Sequence, residues 1–510
     1  MNPIYLGIDC GSTSVKCLAI DDRGTPLATA SHTYPSYSPG DGWIEQDPES
    51  WVQPTLLAIG ECLRRLPREC GVRGISFSGH MSSPVFLDRA GNPLYRCMLV
   101  GDARCEKEAA WLNLHHGPAF RAATGNRPDA CFVAAKLLWF RDHCPEAYEK
   151  THTFVFAKDY LRYRLTGELS TDPTDAGNTL LFDAQTGTWS RERIVALGLK
   201  QSIFPPILPS GAPAGGLLPE MAAQCGLEPG TPVFCGGADM ACSQLGSACL
   251  APDSLSLTLS TSGQVCVRMD EPHPAMYGKV TWHPGVEPGL GYAMGSVFSG
   301  GLALNWCYRL LYRRQAMEPA DFEEMNRLAA RAAQLSPGGS GMLFLPFLSG
   351  SGTPYFSPID RGMLLGLTAS TDPAPIFAAV MEGVSLHIRE NVEVFRDLGL
   401  TLNRVTVAGG GTRMGPWMQT VADVLGQPLD LLRCPDTSTL GASLLALAGA
   451  TESPVLPLAE KTVALRETIQ PRPRATAAYE KMYPLYRQAY RSMHHLQQLR
   501  QESLGGEANE

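Results

Sequence analysis

A carboxylate, a hydroxyl-rich loop and a lysine lie close together near the start of the chain. Asp9 ends the apolar stretch IYLGID and is followed by the loop CGSTS and by Lys16. Backbone N–H groups of such a loop can cradle phosphate oxygens, and Mg²⁺ favours one or two carboxylates together with phosphate oxygens and water. These residues therefore predict a phosphate and metal site, or, as the plainer alternative, a hairpin with a hydroxyl-rich turn. Because the spacing is not G-x-x-x-x-G-K-S/T, nucleotide binding would require a fold other than the P-loop.

A second carboxylate, Asp239, lies in CGGADMACSQLG, after the strand pattern PVFC and two glycines. The pattern predicts a short helix from about Met240 to Leu245. Aspartate directly before a helix is a preferred N-cap. The positive end of a helix also keeps a carboxylate ionised, and an ionised carboxylate can accept a hydroxyl proton at neutral pH. On these residues alone, Asp239 is therefore either a helix cap or a general base.

The segment SGHMSSP, residues 78–84, follows the apolar stretch 72–77 and places His80, Met81 and Ser82 where a strand would end. Ligands of α/β proteins usually bind at strand ends. The segment therefore predicts part of a binding pocket, and the alternative is a turn with a packed histidine.

Two strand-loop-strand hairpins of one design must position these groups. The first comprises IYLGID, CGSTS and VKCLAID, and the second is SLSLTLSTSGQVCVRM, in which apolar residues alternate on both sides of the loop STSG. Alternation with period two indicates strands. Downstream, RVTVAGGGTRMGPWMQTVADVLG predicts a strand, a triple-glycine loop and a helix that buries Trp417, Val421 and Leu425. The chain is thus predicted to be an α/β protein with two similar halves.

Two further helices are predicted. DPESWVQPTLLAIGECLRRL begins with Asp47 as N-cap and Pro48 at the first helical position. ATAAYEKMYPLYRQAYRSMHHLQQL predicts a terminal helix that is interrupted at Pro484.

Length and composition favour a globular protein of two domains with a cleft. A chain of 510 residues exceeds what one hydrophobic core serves, and the Pro- and Gly-rich segment 205–232 leads to a boundary predicted between domains 1–248 and 249–510. A net charge of −8 disfavours nucleic acid as a partner. The fifteen scattered cysteines favour reduced thiols. The sequence contains no run of 18 or more apolar residues, which a membrane-spanning helix would require. We therefore expect a cytoplasmic location.

Taken together, these features predict phosphoryl transfer. In that chemistry a protein mainly positions the reacting groups and neutralises charge, and a cleft keeps water away from the γ-phosphate.

Six segments of the chain resemble, in order, motifs of the FGGY carbohydrate kinases: GIDCGSTSVK, WIEQDPESW, GGADMACSQLG, LSTSG, FLPFLSGSGTP and VAGGGTRMGPWMQTVADVLGQPL. KDYLRYRLTGELSTDPTDAGNTLLFD is most similar to the xylulose kinases within that family. The joint order over about 450 residues makes the resemblance specific. It implies an α/β fold of two actin-like (ribonuclease H-like) domains of the sugar kinase and actin superfold, with a cleft between them.

The resemblance also implies a reaction, in which Mg-ATP donates a phosphoryl group to a sugar hydroxyl and D-xylulose becomes D-xylulose 5-phosphate. Asp239 would be the general base, and Asp9 would support Mg²⁺. The sugar site would comprise His80, Met81, Ser82, Asp102, Arg104, Asp239 and Met240. The ATP site would comprise Gly11, Ser12, Thr13, Ser14, Lys16, Thr261, Ser262, Gly263, Gly301, Asn305, Gly409, Gly410 and Gly411. The resemblance to these kinases is also compatible with a homodimer.

Several positions depart from the family pattern. Residues 80–83 read HMSS where xylulose kinases have QMHG, residues 100–102 read VGD in place of WND, and Met240 replaces an asparagine. On the nucleotide side, residues 351–352 read SG in place of ER. The departures leave ribulose, fuculose, gluconate, erythritol and autoinducer-type substrates open. The alternatives outside metabolism are a catalytically silent sugar-binding regulator and an actin-fold chaperone or filament ATPase.

Overall fold

The two predicted hairpins each begin a mixed sheet of seven strands. A computed structural model of the chain describes residues 2–67 and 69–505. The strands of the first half are β1 (Asn2–Cys10), β2 (Ser14–Ile20), β3 (Pro26–Thr33), β4 (Glu45–Gln46), β5 (Cys70–Gly79), β6 (Pro84–Leu87), β7 (Cys97–Met98), β8 (Thr153–Phe156), β9 (Phe182–Asp183), β10 (Thr188–Trp189), β11 (Pro213–Gly216), β12 (Pro232–Phe234) and β13 (Gly237–Ala238). Its helices are α1 (Val52–Arg64), α2 (Glu106–Thr124), α3 (Val133–His143), α4 (Pro145–Lys150), α5 (Ala157–Thr166), α6 (Pro173–Gly177), α7 (Arg191–Ala196), α8 (Pro219–Cys225) and α9 (Asp239–Gly246).

The second half contains the other elements. Its strands are β14 (Ser254–Leu259), β15 (Gly263–Arg268), β16 (Thr281–Pro284), β17 (Gly291–Val297), β18 (Leu343–Leu345), β19 (Met363–Leu365), β20 (Arg404–Ala408), β21 (Leu429–Leu432) and β22 (Leu465–Ile469). Its helices are α10 (Gly301–Tyr312), α11 (Pro319–Ala332), α12 (Pro373–Asp397), α13 (Gly415–Leu425), α14 (Thr437–Thr451), α15 (Val455–Thr462) and α16 (Pro473–Gly505).

The two sheets share one strand order. The first contains the path β3-β2-β1-β5-β12, and the second contains β17-β15-β14-β20-β21. In each, the leading strand pairs with an antiparallel hairpin partner on one side and with a parallel strand on the other. The predicted two-domain α/β fold with repeated halves is therefore confirmed. The leading strands are buried on both faces, which accounts for the apolar residues that dominate them.

Helix α14 returns the chain to the first sheet, where it packs on β1, β5 and α9. Its crossing with α9 requires glycine, since a Cβ atom on Gly441 would lie 1.9 Å from the carbonyl oxygen of Cys242. The predicted boundary at residues 248/249 falls between α9 and β14 and stays a prediction.

Two helix predictions are tested by local geometry. Asp47 is the N-cap as predicted, but the first turn, Pro48–Trp51, is a 3₁₀ helix that precedes α1. The predicted interruption at Pro484 is wrong, because α16 runs through it. A proline removes one backbone hydrogen bond. Burial of Tyr479, Tyr486 and Tyr490 on α16 compensates for that loss.

Among the described residues, every helix is too short or too polar to cross a membrane. The fifteen cysteines are free thiols.

Candidate active site

Three neighbouring strand ends bring the candidate catalytic residues together. Asp9 on β1 pairs with Ser78 on β5, and Gly237 on β13 pairs with the same Ser78. His80 directly follows β5, and Asp239 directly follows β13. Because the three strands are parallel, these side chains lie at one edge of the sheet, where α/β proteins bind their ligands.

Asp239 is the first residue of α9, one position earlier than predicted, and Ala238 occupies the N-cap position. The Asp239 carboxylate accepts a hydrogen bond from the Met240 N–H at 2.8 Å. Burial, and next to it the charge of Asp9, raises the pKa of Asp239 to about 7. A carboxylate with such a pKa can take up a proton and release it again near neutral pH, as a general base must.

A hydrogen-bonded chain holds the backbone just before Asp239. The Ala238 N–H donates to Thr174 Oγ1 at 2.7 Å, and the Thr174 hydroxyl donates to Asp172 Oδ2 at 2.6 Å. Asp172 is in turn paired with the buried Lys158, at 3.0 Å between Nζ and Oδ1. The position of Asp239 therefore depends on a buried polar network below it.

Replacing Thr174 by valine should lower kcat by about tenfold, because the Ala238 N–H then loses its acceptor and the start of α9 can shift. Steady-state kinetics against Thr186→Val, a change at an exposed turn, would measure the effect. Equal kcat values for the two variants would contradict a positioning role for Thr174.

Asp9 has the environment of a cation ligand. It is 7% exposed, its Oδ2 accepts a hydrogen bond from Ser438 at 2.9 Å, and its Oδ1 has no hydrogen-bond partner among the described residues. Burial raises the pKa of Asp9, so the isolated charge is unfavourable there. A divalent cation on Oδ1 would relieve that cost, and the predicted Mg²⁺ site therefore fits these residues.

A segment that the sequence analysis did not single out, residues 434–438 (CPDTS), connects the two halves at this point. Asp436 forms an ion pair with Lys16, and Ser438 binds Asp9. The Pro435 carbonyl accepts a hydrogen bond from the Gly409 N–H at 3.0 Å. The pattern of Asp followed by hydroxyl residues before an apolar run predicts a helix start, but not a contact with β1.

The predicted ATP-binding residues form two groups. Ser12 and Thr13 are exposed in the loop between β1 and β2, where the Gly11 N–H donates to the Ser14 carbonyl. In the second half, the β14–β15 loop and the start of α10 are joined, because the Gly301 N–H donates to the Ser260 carbonyl at 2.8 Å.

The triple-glycine loop, residues 409–411, packs against the end of β14, next to the β14–β15 loop. Gly409 has φ 89°, and a Cβ atom there would lie 2.3 Å from the Leu259 carbonyl oxygen, so only glycine fits. The structure thus places Gly409 and Gly411 against Leu259, which ends β14 two residues before Thr261, and it places Gly301 against Ser260. Asn305 is part-exposed, one turn along α10. The contact of these residues with ATP stays a prediction.

His80 is a buried neutral histidine with one free ring nitrogen. Its Nδ1 shares a hydrogen bond of 2.7 Å with Ser83 Oγ, and its ring lies edge-on to Trp51. Burial lowers the pKa of His80 to about 3. Nε2 is enclosed and has no hydrogen-bond partner in the described part of the chain, and its predicted contact with the sugar stays a prediction. The alternative of a fully satisfied turn histidine accounts for Nδ1 but not for Nε2.

Asp102 and Arg104 form a buried ion pair, not a surface one. Arg104 donates to Asp102 through Nε at 2.7 Å and through the second guanidinium nitrogen at 2.6 Å, and to Glu45 at 2.7 Å. The guanidinium also lies over the Trp43 ring, at 3.9 Å. The Asp102 carboxylate also accepts hydrogen bonds from the Ile44 N–H at 2.7 Å and from the Arg104 backbone N–H at 3.1 Å. The pair therefore shapes the pocket wall, and its predicted contact with the sugar stays a prediction.

Apolar side chains from both halves meet beside Asp239. Met81 and Met240 belong to the same buried cluster as Val286 and Tyr292, which lie after β16 and on β17. The two methionines are predicted sugar-site residues, whereas Val286 and Tyr292 were not predicted, because nothing local in their sequence marks a strand as cleft-facing.

Comparison with known proteins agrees with this architecture. The models for the N-terminal and C-terminal domains of the FGGY family of carbohydrate kinases match residues 4–246 and 255–450. A xylulose kinase of Bacillus subtilis is 30% identical over 487 residues, which cover 95% of this chain and 96% of the relative. Crystal structures of xylulose kinases from Brucella ovis and Rhodospirillum rubrum superpose on this chain with TM-scores of 0.87 and 0.86, at 31% and 29% sequence identity. Each superposition covers 97% of this chain and 100% of the crystal structure's chain. The chain therefore belongs to the FGGY family of carbohydrate kinases and is a sugar kinase.

Proposed function

We propose that this sugar kinase transfers the γ-phosphoryl group of Mg-ATP to D-xylulose and forms D-xylulose 5-phosphate. The observation that carries the proposal is Asp239, whose pKa of about 7 suits a proton acceptor and which follows β13 at the sheet edge where His80 follows β5. The similarity to xylulose kinases over nearly the whole chain supports the choice of sugar.

In this mechanism Asp239 accepts the proton of the attacking hydroxyl, and His80 Nε2 and Ser82 orient the sugar. The hairpin loops around Thr13 and Ser262 supply N–H and hydroxyl donors to the phosphates of ATP. Asp9 would hold Mg²⁺, which when bound neutralises phosphate charge. The apolar wall of Met81, Met240, Val286 and Tyr292 excludes water as a competing acceptor.

The charges around the pocket support an uncharged sugar over gluconate. Arg104 is committed to Asp102 and Glu45, and Lys158 is committed to three aspartates. Since the burial of His80 keeps it neutral, no cation of the pocket wall described above is free to pair with a substrate carboxylate. Burying an unpaired carboxylate near Asp239 and Asp9 is unfavourable.

A coupled assay of ADP release over ketopentoses, polyols and aldonates tests the substrate. We expect D-xylulose to give the highest kcat/KM, and aldonates to be at least about 100-fold poorer. Xylitol and xylonate form a matched pair, since they differ only at the terminal carbon. A higher kcat/KM for ribulose, fuculose or erythritol would replace D-xylulose within the same mechanism. If no acceptor raised turnover while ATP still bound, the regulator would be favoured instead.

A further inference from the structure

Lys136 on α3 is a fully buried lysine without an anionic partner. Its side chain is inaccessible to solvent, and no carboxylate of the described residues lies within 4.0 Å of its Nζ atom. A buried lysine usually pairs with a carboxylate, because an isolated charge is costly to desolvate. Lys158, another buried lysine, follows that rule. Lys136 therefore requires another explanation.

The Lys136 ammonium group donates to three backbone carbonyls. Nζ lies 2.7 Å from the Ser82 oxygen, 2.7 Å from the Leu99 oxygen and 3.3 Å from the Met98 oxygen. Three acceptors need three N–H donors, and only the protonated amine supplies them. The interaction is thus charge-assisted, even though burial lowers the pKa of Lys136.

These carbonyls belong to two different walls of the pocket. Ser82 lies in the segment 78–84 that carries His80, whereas Leu99 directly precedes the segment 100–104 that carries the buried Asp102–Arg104 pair. The two segments are joined at one nitrogen atom.

The backbone at Ser82 is also one that needs support. Its φ angle is 62°, in the left-handed region that residues other than glycine seldom adopt. Such a conformation persists only where the surrounding structure fixes it. Lys136 fixes the carbonyl group of this residue.

We propose that Lys136 is a positioning residue, which holds the Ser82 and Leu99 carbonyls on one ammonium group and so sets the spacing of the two walls before the sugar binds. The proposal rests on the proposed function, in which these walls bind the sugar. Preorganised walls reduce the ordering that binding requires, so the effect of Lys136 should fall on sugar affinity.

The test is Lys136→Met, which keeps the chain length and removes the donors. We expect the sugar KM to rise about tenfold or more, while kcat falls less than about threefold and the affinity for an ATP analogue stays within about twofold. Lys200→Met is the matched control, since Lys200 pairs with Glu149 at the surface, and all three constants should be unchanged. A purely structural role would reduce the active fraction and hence the apparent kcat, but not KM. A sugar KM within about twofold of wild type overturns the proposal.

Lys136→Arg keeps a cation with N–H donors, so its sugar KM should lie between those of the wild type and the Met variant. A KM above that of the Met variant would contradict the role of the donors. If the Met variant does not bind nucleotide and is judged unfolded, Lys136→Gln is measured by the same criterion. If no sugar stimulates the wild-type enzyme, the proposed function fails, whereas an unchanged KM for a working sugar overturns only the role of Lys136.

Discussion

Asp239→Ala is expected to abolish sugar phosphorylation and to leave ATP binding intact. The variant removes the only carboxylate that directly follows β13, so the attacking hydroxyl has no base at that position. A general base contributes about 100- to 10,000-fold to rate, and we expect a loss of kcat of at least about 1,000-fold. Isothermal titration with an ATP analogue should give a wild-type affinity, because the predicted phosphate loops lie on β1–β2 and β14–β15.

Asp239→Asn is the matched variant, since it keeps the shape of the side chain and removes the charge. It should be as inactive as the alanine variant. Phosphorylation by either variant at a rate near that of the wild type would refute the assignment of Asp239 as the base.

The Asn variant should also be more stable. Because the pKa of Asp239 is raised to about 7 in the folded state, the folded protein holds a proton that the unfolded chain releases at lower pH. The free energy of unfolding therefore decreases as pH rises towards about 7, and Asp239→Asn removes this loss. After allowance for solvent screening, we expect the free energy of unfolding of the Asn variant to exceed that of the wild type by about 1 kcal/mol above about pH 7. This difference should fade below about pH 4. Thermal unfolding at the two pH values measures it.

Much of this site could be predicted because its residues lie at or just after the ends of apolar strand patterns. Asp9 ends its strand pattern, His80 and Asp239 follow theirs within a few residues, and parallel strands place their ends at one edge. The pairing through Ser78 gives this proximity a definite register.

What could not be predicted depends on contacts between distant parts of the chain. Ser438 and Asp436 reach Asp9 and Lys16 across more than 400 residues, because α14 packs on the first sheet. Lys136 looks like one polar residue in the apolar first part of α3, residues 133–140, and its partners are carbonyl groups, which have no signature in the sequence. Backbone partners of this kind become visible only in the folded structure.

Asp9→Asn is expected to lower kcat by about 100-fold or more and to raise the Mg²⁺ concentration needed for half-maximal activity. Oδ1 is the buried oxygen without a partner, and an amide there is a poorer ligand for a divalent cation. Titration of activity with Mg²⁺ measures both effects. Ser438→Ala, which removes only the hydrogen bond to Oδ2, is the control and should cost less than about tenfold.

The pH dependence of the Asp9→Asn variant separates two roles of this carboxylate. The charge of Asp9 is the second cause, after burial, of the raised pKa of Asp239. With asparagine at position 9 that repulsion is gone, so Asp239 should lose its proton at lower pH. As pH is lowered, kcat/KM falls because the base becomes protonated. In the variant this fall should therefore begin at a lower pH than in the wild type. An unchanged acid limb together with a raised Mg²⁺ requirement would mean that Asp9 acts on the metal ion alone, whereas a shifted limb with an unchanged requirement would contradict Asp9 as its ligand.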